Sequence, residues 1–203
     1  MRNSNVLLKV CILIFTCSVM LAGCGKSEAE KYDADKNTIF VQSDSSIIST
    51  IIDTLDEEHY DVAELEEFAK NELEGYNYNV LEDAVSLVSF ASEGDKVKLI
   101  MKYTTAKHYY DFNSEELYVG SVASAMGDGY MFETGFTEYK ELKEVALIDV
   151  TGSTSSKVVI MEPEEETVIN VPGKVIYISS NATPIDKKTV QIPADCRSYI
   201  IYQ

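Results

Sequence analysis

One apolar run dominates the first 23 residues. Arg2 and Lys9 lie before it, and residues 10–20 contain no charged side chain. A helix that stays in a membrane needs about 20 apolar residues, so this run is short for that role. A basic start, an apolar middle and small residues at the end are typical of a secretory signal, and we expect residues 1–23 to be a signal peptide.

The end of this segment reads Leu21-Ala22-Gly23-Cys24 and resembles the lipobox of bacterial lipoproteins. By that resemblance, the Cys24 thiol would receive a diacylglyceryl group and a dedicated signal peptidase would cut before Cys24. The lipidated cysteine would then anchor the chain on the extracytoplasmic face of the cell membrane. The alternative is an ordinary secreted protein in which Cys24 has no special role.

Residues 25–36 read GKSEAEKYDADK and show no hydrophobic periodicity. A polar, charged stretch of this kind buries too little apolar surface to fold by itself. We therefore expect residues 24–36, the lipidated cysteine and a flexible tether, to precede a folded region at residues 37–203.

Two patterns predict β-hairpins early in the folded region. Ile39-Phe40-Val41 and Ile47-Ile48 flank a small polar turn at residues 43–46. Residues 85–90 and 97–103 alternate along the chain around the turn Glu93-Gly94-Asp95-Lys96. Alternation with a period of two is the pattern of a strand with one buried face.

The clearest helix is predicted over residues 61–76. Asp61 and Glu64 have the spacing of a capping box, and Gly75 is expected to end the helix. One face is apolar at helical spacing, and it consists of Val62, Leu65, Phe68, Ala69, Leu73 and Tyr76. We expect this face to pack on a sheet, and we expect a second, short helix at residues 105–113.

The second half of the chain is predicted to consist mostly of strands. They are expected at residues 117–122, 145–150, 158–161, 190–192 and 199–202. Residues 168–171 and 175–178 flank Pro172-Gly173, a pair suited to a type II turn, which predicts a further hairpin. The predicted fold class is α+β and β-dominated, with antiparallel hairpins and one main amphipathic helix packed on a sheet. A boundary near residues 124–142 and one continuous sheet are both allowed.

The composition is that of a folded and strongly acidic protein. Of 203 residues, 34 are acidic and 17 are basic, the net charge is −17, and 45% of residues are hydrophobic. That fraction is too high for a wholly disordered chain and suffices for an ordinary core. Binding to nucleic acid needs clustered Lys and Arg, which the sequence lacks, so we predict no nucleic-acid partner.

Removal of the signal peptide changes the charge and the cysteine content. Arg2 and Lys9 leave with it, so the net charge falls from −17 to −19. Cys11 and Cys17 leave as well and Cys24 is the lipidation site, which excludes an internal disulfide and leaves stability to the core. We expect the remaining cysteine, Cys196, to be a small apolar residue near a terminal strand.

The sequence contains no recognisable catalytic or cofactor motif. His59 and His108 lie in different predicted segments without metal-binding spacing, and no G-x-S-x-G, P-loop or G-x-G-x-x-G pattern occurs. The acidic runs at residues 56–61 and 162–166 are a cation site or a carboxylate pair on a functional interpretation, and solvated loops on a simpler one. We predict no catalytic residue, no metal site and no cofactor.

Aromatic residues are the remaining candidates for ligand binding. The chain has 13 Tyr and 7 Phe but no Trp. A surface for glycans or peptides is one hypothesis for the tyrosines and core packing is the favoured one; the set is Tyr76, Tyr78, Tyr103, Tyr109, Tyr110, Tyr118, Tyr130 and Tyr139. The stretch 105–110 is the first place to seek exposed rings. The candidate interaction surface is accordingly Tyr103, His108, Tyr109 and Tyr110.

The folded region resembles small lipoproteins of anaerobic Firmicutes in overall pattern, including a terminal Tyr199-Ile200-Ile201-Tyr202. That resemblance implies no activity and no functional residue. The leading hypothesis is a non-enzymatic module, anchored to the membrane by its N-terminal lipid, that binds an envelope protein, a peptide or a glycan. The alternatives are a solute-binding lipoprotein associated with a transporter and an envelope hydrolase that uses carboxylates.

Overall fold

The structure is a computed structural model, and it describes residues 27–55, 61–153 and 155–203. The chain divides into two compact units, Met1–Lys31 and Tyr32–Gln203. The described part of the first unit is one helical turn, α1 (Glu28–Lys31). The predicted signal peptide and Cys24 lie outside the described residues, as does most of the acidic run at residues 56–61 with His59.

The second unit has four helices and thirteen strands in its described residues. The helices are α2 (Val62–Val80), α3 (Ala106–Asn113), α4 (Val122–Gly127) and α5 (Leu147–Thr151). The strands are β1 (Thr38–Val41), β2 (Ile47–Thr54), β3 (Val85–Glu93), β4 (Lys96–Tyr103), β5 (Leu117–Ser121), β6 (Phe136–Glu138), β7 (Glu144–Val145), β8 (Lys157–Met161), β9 (Thr167–Asn170), β10 (Val175–Ser179), β11 (Thr183–Asp186), β12 (Thr189–Ile192) and β13 (Ser198–Tyr202).

These strands form two sheets. The large sheet has seven strands in the order β11-β12-β9-β1-β2-β4-β3, and the small sheet has six in the order β5-β8-β13-β10-β6-β7. Neighbouring strands run antiparallel, except that β1 pairs with β9 in parallel. The strand-rich architecture with few helices confirms the predicted α+β fold class, although two sheets replace one continuous sheet.

The main core lies between the two sheets. Ile39 and Ile47 of the large sheet share one buried cluster with Met161 and Ile200 of the small sheet. Each of these side chains is at most 3% exposed, so the cluster is dry. Its burial is the principal source of stability for a chain whose folded unit has no disulfide in its described residues.

A second core covers the other face of the small sheet. Side chains alternate along a strand, so Ile160 and Ile201 point away from the first cluster. They pack instead with Val122 of α4, Val150 of α5 and Phe136. Both clusters lie wholly within Tyr32–Gln203, so this unit contains its own cores and is expected to fold alone.

The folded unit begins at Tyr32, within the segment predicted to be a tether. Tyr32 is 5% exposed, and its ring meets Phe40 edge-on at 5.1 Å. Its hydroxyl donates to Gln42 Oε1 at 2.8 Å, and its carbonyl accepts from the buried Thr50 hydroxyl at 2.6 Å. The predicted tether is therefore wrong for residues 32–36, because the buried Tyr32 ring and the ion pairs of Asp33 with Lys98 and of Lys36 with Glu166 attach this segment to the folded unit.

The main helix is confirmed, but it is longer than predicted. Asp61 caps it by accepting a hydrogen bond from the Ala63 N–H at 2.8 Å. Gly75 lies inside the helix, which ends at Val80 and is followed by the C-cap residue Leu81 in the left-handed conformation with φ 60°. Asn77 fixes this end, since its side chain exchanges two hydrogen bonds with the backbone of Val85, at 2.8 and 3.0 Å.

The two early hairpins are confirmed. β1 pairs with β2, with Phe40 opposite Ile48, and β3 pairs with β4 around Gly94. Gly94 has φ 65°, a conformation that favours glycine. The predicted short helix at residues 105–113 is α3, and Thr105 caps it.

The predicted hairpin at Pro172-Gly173 is wrong. β9 belongs to the large sheet and β10 to the small sheet, so the two do not pair. The Lys174 N–H donates to the Gln203 carbonyl at 2.6 Å, and a Cβ at Gly173 would collide with that carbonyl. The Pro-Gly pair therefore turns the chain from one sheet to the other, where each strand finds two other partners.

The region from residue 122 to residue 151 also differs from the prediction. Residues 147–151 form α5 instead of a strand, and only Glu144–Val145 extends as β7. Val150 of α5 is buried in the second core, whereas Leu147 and Ile148 are exposed, so one turn of helix meets the small sheet through a single apolar side chain. The possible boundary at residues 124–142 falls inside one compact unit.

Candidate ligand-binding groove

The predicted interaction surface lies on α3 and the strand before it, and the structure separates its four residues. Tyr103 is fully buried and Tyr109 is 3% exposed, with ring centroids 5.0 Å apart. Burial raises the pKa of both phenols, and the Tyr109 hydroxyl donates to the Glu115 carboxylate. Both tyrosines belong to the core, so their assignment to an interaction surface is wrong.

His108 is engaged with its neighbours on both ring nitrogens. Nε2 lies 2.9 Å from Glu82 Oε1, and Nδ1 lies 2.8 Å from the Tyr76 hydroxyl. When Nε2–H is donated to Glu82, a neutral ring accepts the Tyr76 proton at Nδ1. His108 thus ties the end of α2 to α3 and offers no free nitrogen for a ligand.

Tyr110 is the member of the predicted surface that faces solvent. It follows Tyr109 in α3, and the helix rotates it by about 100° from that buried ring, so it is 50% exposed. Its hydroxyl makes no hydrogen bond to the described residues. The helix that carries it is fixed by its cap, in which Thr105 Oγ1 accepts from the His108 N–H at 3.1 Å.

Tyr110 borders a groove of about 610 Å³ that we call the tyrosine groove. Its lining includes three charged residues and three tyrosines: Asp44, Lys107, Glu116, Tyr110, Tyr118 and Tyr130. Three separate segments supply the three rings: α3, β5 and the loop after α4. Half of the lining residues are polar or charged, and aromatic rings combined with such groups on a concave surface are the usual make-up of a ligand site.

Tyr118 and Tyr130 form a fixed pair in this groove. Their ring centroids are 4.8 Å apart, and both rings pack on the edge of the second core. The Tyr118 hydroxyl donates to Asp128 Oδ2 at 3.1 Å. Burial, with the Asp128 carboxylate as a second cause, raises the pKa of Tyr118 to about 12, so the ring stays neutral at every physiological pH.

Local glycines position this pair. A Cβ at Gly120 would lie 2.6–2.8 Å from atoms of the Tyr118 side chain, so the ring lies over residue 120 only because no side chain is there. Gly129 has φ 93°, and the next N–H, of Tyr130, donates to the Ala125 carbonyl at 3.0 Å. Tyr118 and Tyr130 belong to the wider set of tyrosines for which the sequence allows a ligand surface, but not to the four-residue candidate surface; a glycine close to each was the available signal.

The charged groups around the groove already have partners. Glu116 Oε2 accepts from Arg197 Nε and Nη2 at 3.0 and 2.7 Å, and Lys107 pairs with Asp111 at 2.6 Å. Two hydrogen bonds from Ser46 lower the pKa of Asp44. The groove therefore offers aromatic faces, a free phenol and the hydrogen-bonded carboxylate of Asp44, while Glu116 and Lys107 are already ion-paired.

The second acidic run has structural contacts. Glu165 accepts from Asn37 Nδ2 at 2.7 Å, Glu166 pairs with Lys36 at 3.3 Å, and Glu162 lies 3.4 Å from Arg197. Within the described residues, no three His, Cys, Asp or Glu side chains are grouped to hold a metal ion.

Cys196 precedes β13 and is half-buried. Its Sγ accepts from Asn181 Nδ2 at 3.0 Å. It thus lies next to a terminal strand as the sequence predicts, although it is a hydrogen-bond acceptor and belongs to neither core cluster.

Comparison of the chain with protein families, curated proteins and solved structures found no match. Over the residues that the structure describes, no helix is long and apolar enough to cross a membrane.

Proposed function

We propose that this chain is a lipid-anchored protein of the extracytoplasmic face of the cell membrane, and that its folded unit is a non-enzymatic binding module. The lipobox at Cys24 supports the anchor. The tyrosine groove is the observation that carries the binding role, because Tyr110, Tyr118 and Tyr130 converge there from three segments. Rings that are fixed before binding lose little entropy when a ligand settles on them.

The groove favours a glycan of the cell envelope as its ligand. Sugar rings have apolar C–H faces that stack on aromatic side chains, and their hydroxyls pair with phenols. Tyr110 supplies a free hydroxyl, and the charges of Glu116 and Lys107 are already paired. A peptide that binds through charged side chains would have fewer available ion-pair partners in this groove, because Glu116 and Lys107 are already paired.

Two other functions receive less support. A solute-binding lipoprotein usually holds its ligand between two lobes that close by a hinge, whereas Tyr32–Gln203 is one compact unit. A hydrolase would use the His108–Glu82 pair as a base and its orienting acid. In that role Nε2 would be oriented by Glu82, and Nδ1 would have to accept a proton from the substrate or water. Nδ1 is already hydrogen-bonded to the Tyr76 hydroxyl.

The binding role is tested by calorimetric titration of residues 24–203 with soluble glycan fragments of the bacterial cell wall. We expect Tyr110→Ala to weaken binding by about fivefold or more, since hot-spot aromatics contribute at least 1 kcal/mol. Tyr78→Ala is the matched control, because Tyr78 is 80% exposed and lies outside the groove. Equal affinity for Tyr110→Ala and the wild type, or preferential binding of peptides, would refute the glycan site.

The anchor is tested in cells with a chemically tagged fatty acid. We expect the wild-type protein to incorporate the tag and Cys24→Ser to lose it. Cys17→Ser is the matched control, because Cys17 lies in the predicted signal peptide and should have no effect on tagging. Labelling that survives in Cys24→Ser would contradict the lipobox assignment.

A further inference from the structure

The apolar face of α2 is only partly covered by the sheet. Leu73, Tyr76 and Val80 pack against the main core, and no residue of the helix is fully buried. Nearer the N-terminus, Phe68 lies at the edge of this face and is 61% exposed. The second half of the helix is therefore docked, and in the first half the Phe68 ring is open to solvent beside the half-buried Leu65 and Ala69.

This open half borders a groove of about 710 Å³ between α2, α3 and β4, which we call the helix groove. Its apolar lining comprises Leu65, Phe68, Ala69, Tyr76, Leu99, Met101 and Phe112. It is separate from the tyrosine groove, since Lys107 and Tyr110 of α3 line that groove and Asp111 and Phe112 of the same helix line this one.

Hydrogen bonding and ring packing fix one wall of the helix groove. The Tyr76 hydroxyl is held at 2.8 Å by His108 Nδ1. The Tyr76 ring meets Phe112 edge-on, with centroids 5.5 Å apart and planes at 88°. A wall set before binding lowers the entropy cost of docking.

The helix beside this groove is strongly acidic. Its acidic residues are Glu64, Glu66, Glu67, Glu72 and Glu74, against the single basic residue Lys70. Lys70 is already paired with Glu66 at 2.6 Å. Glu72, which lines the groove, has no ion-pair partner among the described residues, and the last turn of the helix has no basic side chain to offset its dipole.

We propose that the helix groove receives a cationic amphipathic helix of a partner protein. Apolar side chains spaced three and four residues apart would enter beside Phe68, and Lys or Arg on the flanks would pair with the free glutamates of α2. This is a second surface, and it does not depend on the ligand of the tyrosine groove.

The negative charge of α2 argues against two other occupants of the helix groove, a second copy of the chain and a lipid surface. A second copy related by two-fold symmetry would place the acidic helix against itself, because such an interface uses the same patch on both subunits. Anionic lipid headgroups would be repelled for the same reason. A cationic segment gains from the charge and buries the exposed Phe68.

The test is fluorescence anisotropy with residues 24–203 and a labelled 14-residue peptide of Leu and Lys patterned for one apolar helical face. We expect saturable binding that weakens with salt. A scrambled peptide of equal composition should bind at least tenfold more weakly, and Phe68→Ala should weaken binding about fivefold or more. Tyr78→Ala, on the same helix but outside the groove, should bind like the wild type.

Three results would overturn the proposal. The first is an absence of binding by the wild type. The second is equal binding of the scrambled peptide or of Phe68→Ala, which would show attraction by charge alone. The third is a dimer in sedimentation that Phe68→Ala dissociates, which would assign the groove to a second copy. Because Phe68 is exposed, its variant should keep the wild-type circular dichroism.

Discussion

Tyr118 lies over Gly120, two residues further along β5. The ring atoms Cε1 and Cζ of Tyr118 would be 2.8 Å from a Cβ at Gly120, closer than side chains approach one another. The ring keeps its place because residue 120 has no side chain. The Tyr118 ring also packs against Tyr130, and these two rings form one wall of the tyrosine groove. Gly120 thus determines where that wall lies.

Gly120→Ala should damage the groove more than the fold. The new methyl group meets the far end of a side chain, so Tyr118 can rotate away, and we expect less than about 1 kcal/mol of lost stability. Binding of cell-wall glycan fragments should weaken about fivefold. Calorimetric titration and urea unfolding measure the two effects.

The Gly120→Ala variant also has a spectroscopic readout. Tyr118 should lose the burial and the Asp128 contact that raise its pKa to about 12, so one phenol should ionise closer to pH 10. Ultraviolet absorbance of phenolate follows this change, and Tyr118→Phe identifies the group. An unchanged titration curve would show that Tyr118 does not move.

Tyr32→Ala tests whether the fold begins before residue 37. The ring is 5% exposed and contacts Phe40, so its removal should cost about 3 kcal/mol, as for other buried aromatics. The urea midpoint measures this loss, with Tyr78→Ala as the exposed control. A decrease in the free energy of unfolding below about 0.5 kcal/mol would show that Tyr32 belongs to the flexible tether and not to the folded unit.

Tyr76→Phe tests the connection between α2 and α3. The variant keeps the ring packing against Phe112 but removes the hydroxyl that His108 Nδ1 holds, and a single such bond contributes about 1 kcal/mol. We expect that loss of stability together with faster amide exchange in the second half of α2. Tyr78→Phe, which changes an exposed ring on the same helix, should alter neither the stability nor the amide exchange. If both variants behave alike, the Tyr76–His108 hydrogen bond does not connect α2 to α3.

Alkaline pH should destabilise the protein through Tyr202. Burial raises the pKa of this phenol to about 12, so between about pH 10 and 12 the unfolded chain loses its proton while the folded chain keeps it. Stability is therefore full below about pH 10 and falls as the pH rises toward 12. Tyr202→Phe should make the decline shallower by up to about 1.4 kcal/mol per pH unit, as measured by urea unfolding at several pH values. If Tyr202→Phe and the wild type lose stability with the same slope, the pKa of Tyr202 is the same in the folded and the unfolded chain, which contradicts the prediction.

Local patterns predicted the elements whose determinants are close in sequence. The β3–β4 hairpin follows from alternation around Gly94, and α2 follows from the Asp61 cap and its apolar spacing. The Pro172-Gly173 corner could not be predicted in this way. The same dipeptide suits a hairpin, and only the partners of β9 and β10 decide that the chain changes sheets.

The site was harder to predict because exposure depends on which face of an element meets the core. Tyr109 and Tyr110 are adjacent and chemically identical, yet one is buried and the other half exposed. Their difference comes from how α3 docks, which no local pattern encodes. Tyr118 and Tyr130 join Tyr110 through contacts between distant segments, so sequence spacing alone could not group them.

The most direct test of the tyrosine groove is nuclear magnetic resonance with isotope-labelled tyrosine rings during titration with cell-wall glycan fragments. Binding in the groove predicts saturable shifts at Tyr110, Tyr118 and Tyr130, with none at the exposed Tyr78. An absence of shifts in all of the rings, or shifts at Tyr78 with Tyr110 unchanged, would contradict the assignment of the groove as the ligand site.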